Sequence, residues 1–281
     1  MTNTDWSDGD AVLAAAWIYP VKACGALAVD QLVIDRWGGA EGDRRWAVVD
    51  ASGSVTWQGS HPRLALVRPR LEGDSLTLRA SGHASLEVRD EGLAPCEVGM
   101  FNEGAKRTDV FPGRAAGEAA DRWISAVAGA PLRLVRLGDE AIGRAHAERL
   151  HVVTLESAHE VDAVLAARGE PPADVLRYRP NLVLQGRGAP LVPFVEEVIE
   201  AIAWSHDGGE ARLAVTARCV RCIVPNVDPA TGVAGAQVLP TLAELSAQRF
   251  PGEPTALGVY GHATPGATLA RGQALRLSFA F

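Results

Sequence analysis

The sequence is poor in cysteine, in long apolar segments and in positive charge, and each shortage excludes a class of protein. Only four of its 281 residues are cysteine, too few for a disulfide framework, which favours reduced thiols and a cytoplasmic protein. The longest early apolar run, residues 11–19, is shorter than the roughly 20 residues that span a bilayer. Asp5, Asp8 and Asp10 precede it, so we expect no signal peptide and no membrane partner.

The charge balance and several missing motifs exclude further functions. Lysine and arginine total 27 against 34 aspartate and glutamate residues, a net charge of −7. Because proteins that bind a nucleic-acid backbone are usually basic, we expect no nucleic-acid partner. The phosphate-binding and dinucleotide-binding glycine motifs, GxSxG and HExxH are all missing, which leaves nucleotide-dependent and common hydrolase functions with little support.

What is present in the first half of the chain is typical of a β-rich domain. Short strand-like segments with intervening turns run from residue 11 to residue 100 and predict a barrel or a sandwich. Hairpins are expected over residues 44–58 and 64–78. A helical period follows over residues 117–127, and a strand is predicted over residues 132–137.

The second half mixes helices with further strands. A helix is predicted over residues 157–168 and another over residues 242–250, and residues 196–204 are compatible with a strand or a short helix. The last strand is expected over residues 274–281. Residues 138–147 have mixed charge and no apolar period, so we place a domain boundary near residue 140. The predicted class is α+β, mainly β.

The strongest chemical signal is RCVRCIVPNVDPATG, residues 218–232. Its two cysteines, Cys219 and Cys222, lie beside arginines, which favour the thiolate, the preferred ligand of a thiophilic metal. The alternative is two buried cysteines that act as small hydrophobic residues. A zinc site would need a second pair of ligands. A redox pair normally begins a helix, which Pro225 and Pro229 disfavour.

Three shorter segments carry candidate anion-binding cations. RYRPN contains Arg179 and Asn181, and because Arg179 precedes a proline its backbone is predicted to be extended. That conformation would direct a planar guanidinium outward, toward a phosphate or carboxylate. YPVK contains Lys22 and DRRW contains Arg44. For each cation the alternative is a surface salt bridge or a solvated side chain.

In this order and spacing, these segments resemble the MOSC family (molybdenum cofactor sulfurase C-terminal domain). YPVK, DRRW and the HPRL of residues 61–64 resemble the β-barrel domain that precedes MOSC in many members, and RPN with RCxxCxxxxVDPxTG resembles the MOSC domain itself. The arrangement is similar to mitochondrial amidoxime-reducing components and their bacterial relatives. The resemblance implies an N-terminal, β-barrel-like MOSC-associated domain over residues 1–140 and a MOSC β-barrel with a few peripheral helices over residues 141–281.

The resemblance also implies site residues. Cys222 matches the molybdenum ligand, and Cys219 matches a less essential, structural position. Asp228 matches the acidic residue of the VDP turn, which organises the metal loop or relays a proton, and it is a catalytic candidate with Cys222. Ala23 and His151 stand where the family usually has hydroxyl residues. The positions implied to contact the cofactor are Lys22, Ala23, Arg44, His151, Arg179, Asn181, Val220, Arg221 and Tyr260.

The function implied by the resemblance is that of a molybdenum-dependent oxidoreductase. Its cofactor would be the molybdenum cofactor, Mo-molybdopterin, and its substrate a small N-hydroxylated molecule. The sequence carries no iron–sulfur domain of the kind found in some bacterial relatives, so electrons are expected from a separate donor protein of flavin, iron–sulfur or haem type. The alternative is a cofactor carrier or sulfur-transfer protein without its own turnover, in which Cys222 would hold a persulfide formed independently of pyridoxal phosphate.

Overall fold

A computed structural model of the chain describes residues 11–144 and 148–279. Strands make up 41% of it and helices 21%, so the predicted mainly β, α+β class is confirmed. The strands are β1 (Ala11–Ile18), β2 (Leu27–Val29), β3 (Gln31–Val33), β4 (Trp46–Val49), β5 (Arg68–Glu72), β6 (Ser75–Arg79), β7 (Leu86–Arg89), β8 (Ala94–Asn102), β9 (Arg107–Ala115), β10 (Arg133–Leu137), β11 (Leu150–Thr154), β12 (Leu182–Gly186), β13 (Ile199–His206), β14 (Gly209–Val220), β15 (Ala256–Ala263), β16 (Thr268–Ala270) and β17 (Ala274–Phe279). The helices are α1 (Glu118–Ala128), α2 (Asp139–Gly143), α3 (Leu155–Ala167) and α4 (Val238–Arg249).

A closed barrel of seven strands is the centre of the C-terminal half, and it includes the first strand of the chain. Its strand order is β12, β11, β15, β14, β13, β17 and β1, with β2 attached beyond β1, and the pairing of β1 with β12 closes it. β11 and β12 run parallel and are joined through α3, as a parallel pair needs a crossover connection. Leucines such as Leu13, Leu150 and Leu184 fill the barrel core without solvent exposure.

Besides β1, β2 and β3, of which β3 pairs with β16, the N-terminal half contains two smaller sheets and α1. One sheet has the order β4, β10, β9, β8, and the other the order β5, β6, β7. The predicted hairpin over residues 64–78 is confirmed as β5 and β6. The hairpin over residues 44–58 is confirmed in part, as a turn in which the Asp50 amide donates to the Ser54 carbonyl at 3.0 Å and as a single antiparallel bridge between Val49 and Val55. The regular partner of β4 is β10 instead.

The remaining predicted elements are reproduced with small shifts at their ends. α1, α3 and α4 match the three predicted helices, and α1 ends at Gly129, whose left-handed conformation (φ 73°) suits a residue without a side chain. Residues 196–204, which are compatible with a strand or a short helix in the sequence, contain both, a single 3-10 turn followed by β13. β17 ends at Phe279, and the two last residues of the predicted strand lie outside the described residues.

The described helices include none that is both apolar enough and long enough to cross a membrane. Residues 1–10 and 145–147 lie outside the described residues. They include the acidic segment before β1 and the end of the mixed-charge segment near residue 140. The domain boundary near residue 140 stays a prediction.

Candidate functional site

The predicted site residues come from distant parts of the chain and meet at one end of the barrel. Lys22 and Ala23 follow β1, and Arg44 precedes β4. His151 on β11 lies directly opposite Tyr260 on β15. Asn181 immediately precedes β12, and Cys222 follows β14. The barrel therefore brings the N-terminal segments against the C-terminal motif.

Asn181 is the hub that joins these segments. Its side chain is fully buried. The amide oxygen accepts hydrogen bonds from the His151 backbone N–H at 3.1 Å and from the Arg44 guanidinium at 3.3 Å, and the amide nitrogen donates to the Trp17 carbonyl at 3.1 Å. Because a buried amide is costly when unpaired, these bonds fix the relative positions of β1, β11 and the segment before β4.

Lys22, Arg44 and Arg179 form a group that we call the cation cluster. The guanidinium carbons of Arg179 and Arg44 lie 4.2 Å and 5.3 Å from the centre of the Tyr19 ring, within the range of cation–π attraction. Arg179 also donates to the Cys24 carbonyl at 2.6 Å. Arg44 forms an ion pair with Asp43, which orients its guanidinium. The cluster is thus held in place by the protein alone.

Lys22 opens into a cavity of about 60 Å³ between the two halves of the chain. Burial lowers the pKa of Lys22 to about 8, and the neighbouring cations Arg144 and Arg44 act in the same direction. The charged side chains of the cavity lining are Lys22, Arg44, Arg144 and Arg149 and, of opposite sign, Asp35, Asp43 and Glu148. The excess of cations makes this cavity suitable for a small anion.

The backbone at these residues is strained. Ala23, Arg44 and Arg179 have φ values of 72°, 48° and 57°, and they are three of the five non-glycine residues with positive φ among the described residues. Such conformations cost about 1–3 kcal/mol each and concentrate at functional sites. The prediction that Arg179 is extended is therefore wrong. Tertiary contacts override the local preference, because the Arg179 side chain packs on Tyr19 and its carbonyl faces the His151 ring at 3.3 Å.

Residues 219–233, which we call the thiol loop, carry the predicted metal ligand. Cys219 is buried and Cys222 is exposed. Between them the Arg221 side chain turns inward, where it donates to the Cys219 sulfur at 2.8 Å and to the Tyr178 carbonyl at 3.0 Å. Cys219 is thus enclosed within the fold, and its structural role stays a prediction. The inward Arg221 fixes the start of the loop and leaves the Cys222 thiol facing solvent.

Asp228 organises the second part of the thiol loop. One carboxylate oxygen accepts from the backbone N–H groups of Ala230 and Thr231 at 2.7 Å and 3.1 Å, and the other accepts from Arg177 at 2.7 Å. Although partial burial acts to raise it, these hydrogen bonds hold the pKa of Asp228 below its usual value. These contacts order the turn after Asp228, and its role in metal binding or in a proton relay stays a prediction.

His151 and Tyr260 connect the cation cluster to the thiol loop. Their rings lie 5.2 Å apart. The two ring nitrogens of His151 each lie 3.3 Å from a backbone carbonyl oxygen, of Arg179 and of Leu257. Burial, with Arg221 nearby, lowers the pKa of His151 to about 3, so the ring is neutral at physiological pH. Burial, with Cys219 close to the hydroxyl, raises the pKa of Tyr260 above its usual value.

Two contributors to the site were missed by sequence reasoning. Tyr19 lies in YPVK, and an aromatic ring next to a candidate anion-binding lysine was the available signal. Arg144 lies in the mixed-charge segment, and no sequence signal places it beside Lys22, because only the tertiary fold does so. Within the described residues, no group of three or more His, Cys, Asp or Glu side chains is arranged to hold a metal ion.

Comparison with known proteins gives matches over nearly the whole chain. The model of the MOSC N-terminal beta barrel domain family matches residues 10–131, and that of the MOSC domain family matches residues 139–276. Mitochondrial amidoxime-reducing component 1 from Homo sapiens is 28% identical over 243 residues, which cover 79% of this chain and 67% of the relative. Mitochondrial amidoxime reducing component 2 from Homo sapiens is 27% identical over 240 residues, 79% of this chain and 68% of that relative.

Two further similarities are more partial. Molybdenum cofactor sulfurase from Homo sapiens is 24% identical over 274 residues, which cover 84% of this chain and 29% of the relative. A solution structure of a Bordetella bronchiseptica protein superposes with a TM-score of 0.35 and 23% identity, covering 46% of this chain and 93% of that one.

Proposed function

The chain belongs to the MOSC family, with an N-terminal MOSC β-barrel domain ahead of the MOSC domain, and from this premise we propose that it is a molybdenum-cofactor-binding oxidoreductase that reduces N-hydroxylated small molecules. Family membership relates its function to the molybdenum cofactor. The reductase activity is the further step. The observation that carries it is a set of contacts that links a half-buried cation cluster to the loop that presents an exposed thiol.

This set of contacts fits an elongated anionic cofactor that carries a thiophilic metal at the end opposite its phosphate. The cavity beside Lys22 has an excess of cations, which suits a terminal phosphate. Asn181, His151 and Tyr260 link the cation cluster to the thiol loop through hydrogen bonds and a ring contact. Cys222 then offers one accessible sulfur, the donor that a thiophilic metal prefers.

Each residue has a separate task in the proposal. Lys22, Arg44 and Arg179 bind the phosphate and pterin, and Cys222 ligates the molybdenum. Arg221 and Asp228 keep the loop in the conformation that presents Cys222. When bound, the molybdenum centre would supply the two-electron redox chemistry. In the net reaction the substrate takes up two electrons and two protons, its N–O bond breaks, the nitrogen keeps one new hydrogen and the oxygen leaves as water.

The electrons come from a separate donor protein in this proposal, so the test uses a chemical donor in its place. Protein loaded with molybdopterin and molybdate is supplied with reduced methyl viologen and benzamidoxime. We expect benzamidine to form with oxidation of the viologen, and we expect Cys222→Ala to lack both molybdenum and turnover. Cys96→Ala, at a partly buried cysteine on β8, is the matched control. Loaded wild-type protein that reduces no N-hydroxylated compound would overturn the reductase assignment.

A second candidate, a cofactor carrier or sulfur-transfer protein, is favoured by one observation. The relative named molybdenum cofactor sulfurase matches 84% of this chain, and the exposed Cys222 is accessible to a partner. In that case Cys222 would hold a persulfide or a cofactor in transit. Mass spectrometry of the isolated protein would find the persulfide on Cys222, and the loaded protein would release its cofactor to an acceptor without reducing benzamidoxime.

A further inference from the structure

Two exposed apolar side chains flank the Cys222 thiol. Val220 and Ile223 keep 60% and 47% of their surface in contact with solvent. Large apolar side chains that face solvent beside a reactive group expose surface that a ligand can cover. Both are also β-branched, so little rotamer freedom is lost when a ligand packs on them.

Val220 and Cys222 are both exposed, and the Arg221 side chain between them turns inward. Val220 is the last residue of β14 and follows an irregularity in the pairing of β14 with β15. Cys219 is buried, Val220 is exposed, Arg221 turns inward to the Cys219 sulfur, and Cys222 is exposed. Ile223 follows Cys222 directly. Along the chain, the exposed thiol therefore has an exposed apolar residue on either side, with the inward Arg221 between it and Val220.

The charged side chains of this segment are all engaged elsewhere. Arg218 donates to Glu197 at 2.6 Å, Arg221 is paired with Cys219 and Tyr178, and Asp228 is paired with Arg177. None of the three is directed at a ligand over Cys222. The surface next to the thiol is thus apolar on both sides, without a free charge from its own segment.

We propose that Val220 and Ile223, the apolar collar, determine substrate specificity by selecting N-hydroxylated molecules that carry a neutral, apolar body such as an aromatic ring. The proposal rests on the reductase function proposed above. An aromatic body next to the N-hydroxyl group covers the collar when that group approaches the metal position, and the covered apolar area adds binding energy. A substrate with only a methyl group covers little of it.

The test compares benzamidoxime with acetamidoxime, which share the reacting group and differ in the apolar body. Reduced methyl viologen is the donor, and rates are normalised to bound molybdenum. We expect wild-type protein to prefer benzamidoxime by about tenfold in kcat/KM. Ile223→Thr and Val220→Thr should each lower that ratio about threefold, and the double variant should bring it close to one.

A control and a second measurement make the result specific. Val192→Thr changes a valine with the same 60% exposure on the connection between β12 and β13, and it should leave the ratio unchanged. Calorimetry with oxidised, loaded protein should show weaker benzamidoxime binding in the collar variants and no change in Val192→Thr. Threonine is close to valine in shape, so the β-strand conformation at Val220 is kept.

Three outcomes would overturn the collar. One is an unchanged substrate ratio in the double variant. Another is an effect seen only with a protein electron donor, which would make the collar a docking surface for that donor. The third is equal wild-type activity on both substrates, which removes the specificity but leaves the reductase function intact. If molybdenum-loaded protein reduces neither compound, it is the proposed function that fails.

Discussion

The cation cluster and the thiol loop are the two ends of one candidate site, and the chain builds them in different ways. The cluster draws Lys22, Arg44 and Arg179 from three separated segments and holds them on Tyr19 and Asn181. The thiol loop is contiguous, and it is held by hydrogen bonds to Arg221 and Asp228 within the loop. One end is partly buried and strained, and the other is exposed.

This difference in burial and strain bears on which end binds the cofactor tightly and which end carries the redox chemistry. Positive φ at Ala23, Arg44 and Arg179 raises the free energy of the folded chain, and contacts with the surrounding fold must offset it. That fold holds the cations in place before any ligand arrives, so little ordering is left to be done on binding. The exposed Cys222 has no such support and remains open to substrate. We infer that the cluster supplies most of the cofactor affinity and that the loop supplies the metal ligand and the substrate face.

The largest expected effect comes from removing the thiol. Cys222→Ala should lose essentially all molybdenum while keeping the fold, because an exposed side chain changes stability by about 0.5 kcal/mol or less. Elemental analysis and thermal unfolding measure the two quantities. Retained metal with an unchanged melting temperature would show that Cys222 is not the ligand and that the thiol loop is not the metal-binding end of the site.

The next effect is expected at the other end. Arg179→Ala removes a guanidinium that packs on Tyr19 and bonds the Cys24 carbonyl, and it should weaken cofactor binding about 10- to 100-fold. Arg168→Ala, at a surface ion pair with Glu244, is the control. Cofactor content after dialysis is the measurement. If Arg179→Ala keeps wild-type content, the phosphate role of the cluster is wrong.

A third prediction uses the titration of Lys22. Its pKa, lowered by burial to about 8, means that the ammonium form is lost as pH rises through that value. Binding of an anion requires that form, so the association constant of the cofactor should fall about tenfold between pH 7 and pH 9. Lys22→Met removes this component, while other titrating groups contribute equally to both proteins. Identical pH profiles for the two proteins would contradict a charged Lys22 at the phosphate.

The same division between the two ends explains how much could be predicted from the sequence. The thiol loop is contiguous, so its cysteines, prolines and VDP turn are visible as one motif, and Cys222 is exposed in the structure. The mainly β class and the helices also follow from local periodicity. Arg179 was predicted as extended because local rules see only the following proline. Its left-handed backbone depends on Tyr19 and His151, which are far away in the sequence.

The barrel shows the same limit for the fold. The apolar pattern of β1 is evident, yet nothing local indicates that it closes a barrel with β12 and β17, more than 160 residues later. The long hairpin of β8 and β9 is not predicted as a hairpin, although most of β8 lies within the strand-like region that ends at residue 100. Its sequence, with Pro112 and several glycines, breaks the alternation that would have indicated strands.

The smallest change in molybdenum content is expected from Cys219→Ala. This variant tests whether the thiol loop holds the metal independently of the buried residues beneath it. Cys219→Ala should keep molybdenum within about twofold of wild type, because the ligand is Cys222. It should cost about 1–3 kcal/mol in the free energy of unfolding, since the buried sulfur accepts from Arg221 and its loss leaves one guanidinium nitrogen without an acceptor, while the bond of the other to the Tyr178 carbonyl remains.

Cys24→Ala, at a cysteine with equally little exposure, is the matched control for the volume lost. Denaturant unfolding of both variants gives the change in the free energy of unfolding, and elemental analysis gives their molybdenum content. A larger destabilisation in Cys219→Ala than in Cys24→Ala assigns the difference to the Arg221 contact. Complete metal loss in Cys219→Ala would instead mean that Cys219 is the ligand or that both cysteines bind the metal, and the assignment of the metal to the exposed thiol alone would fail.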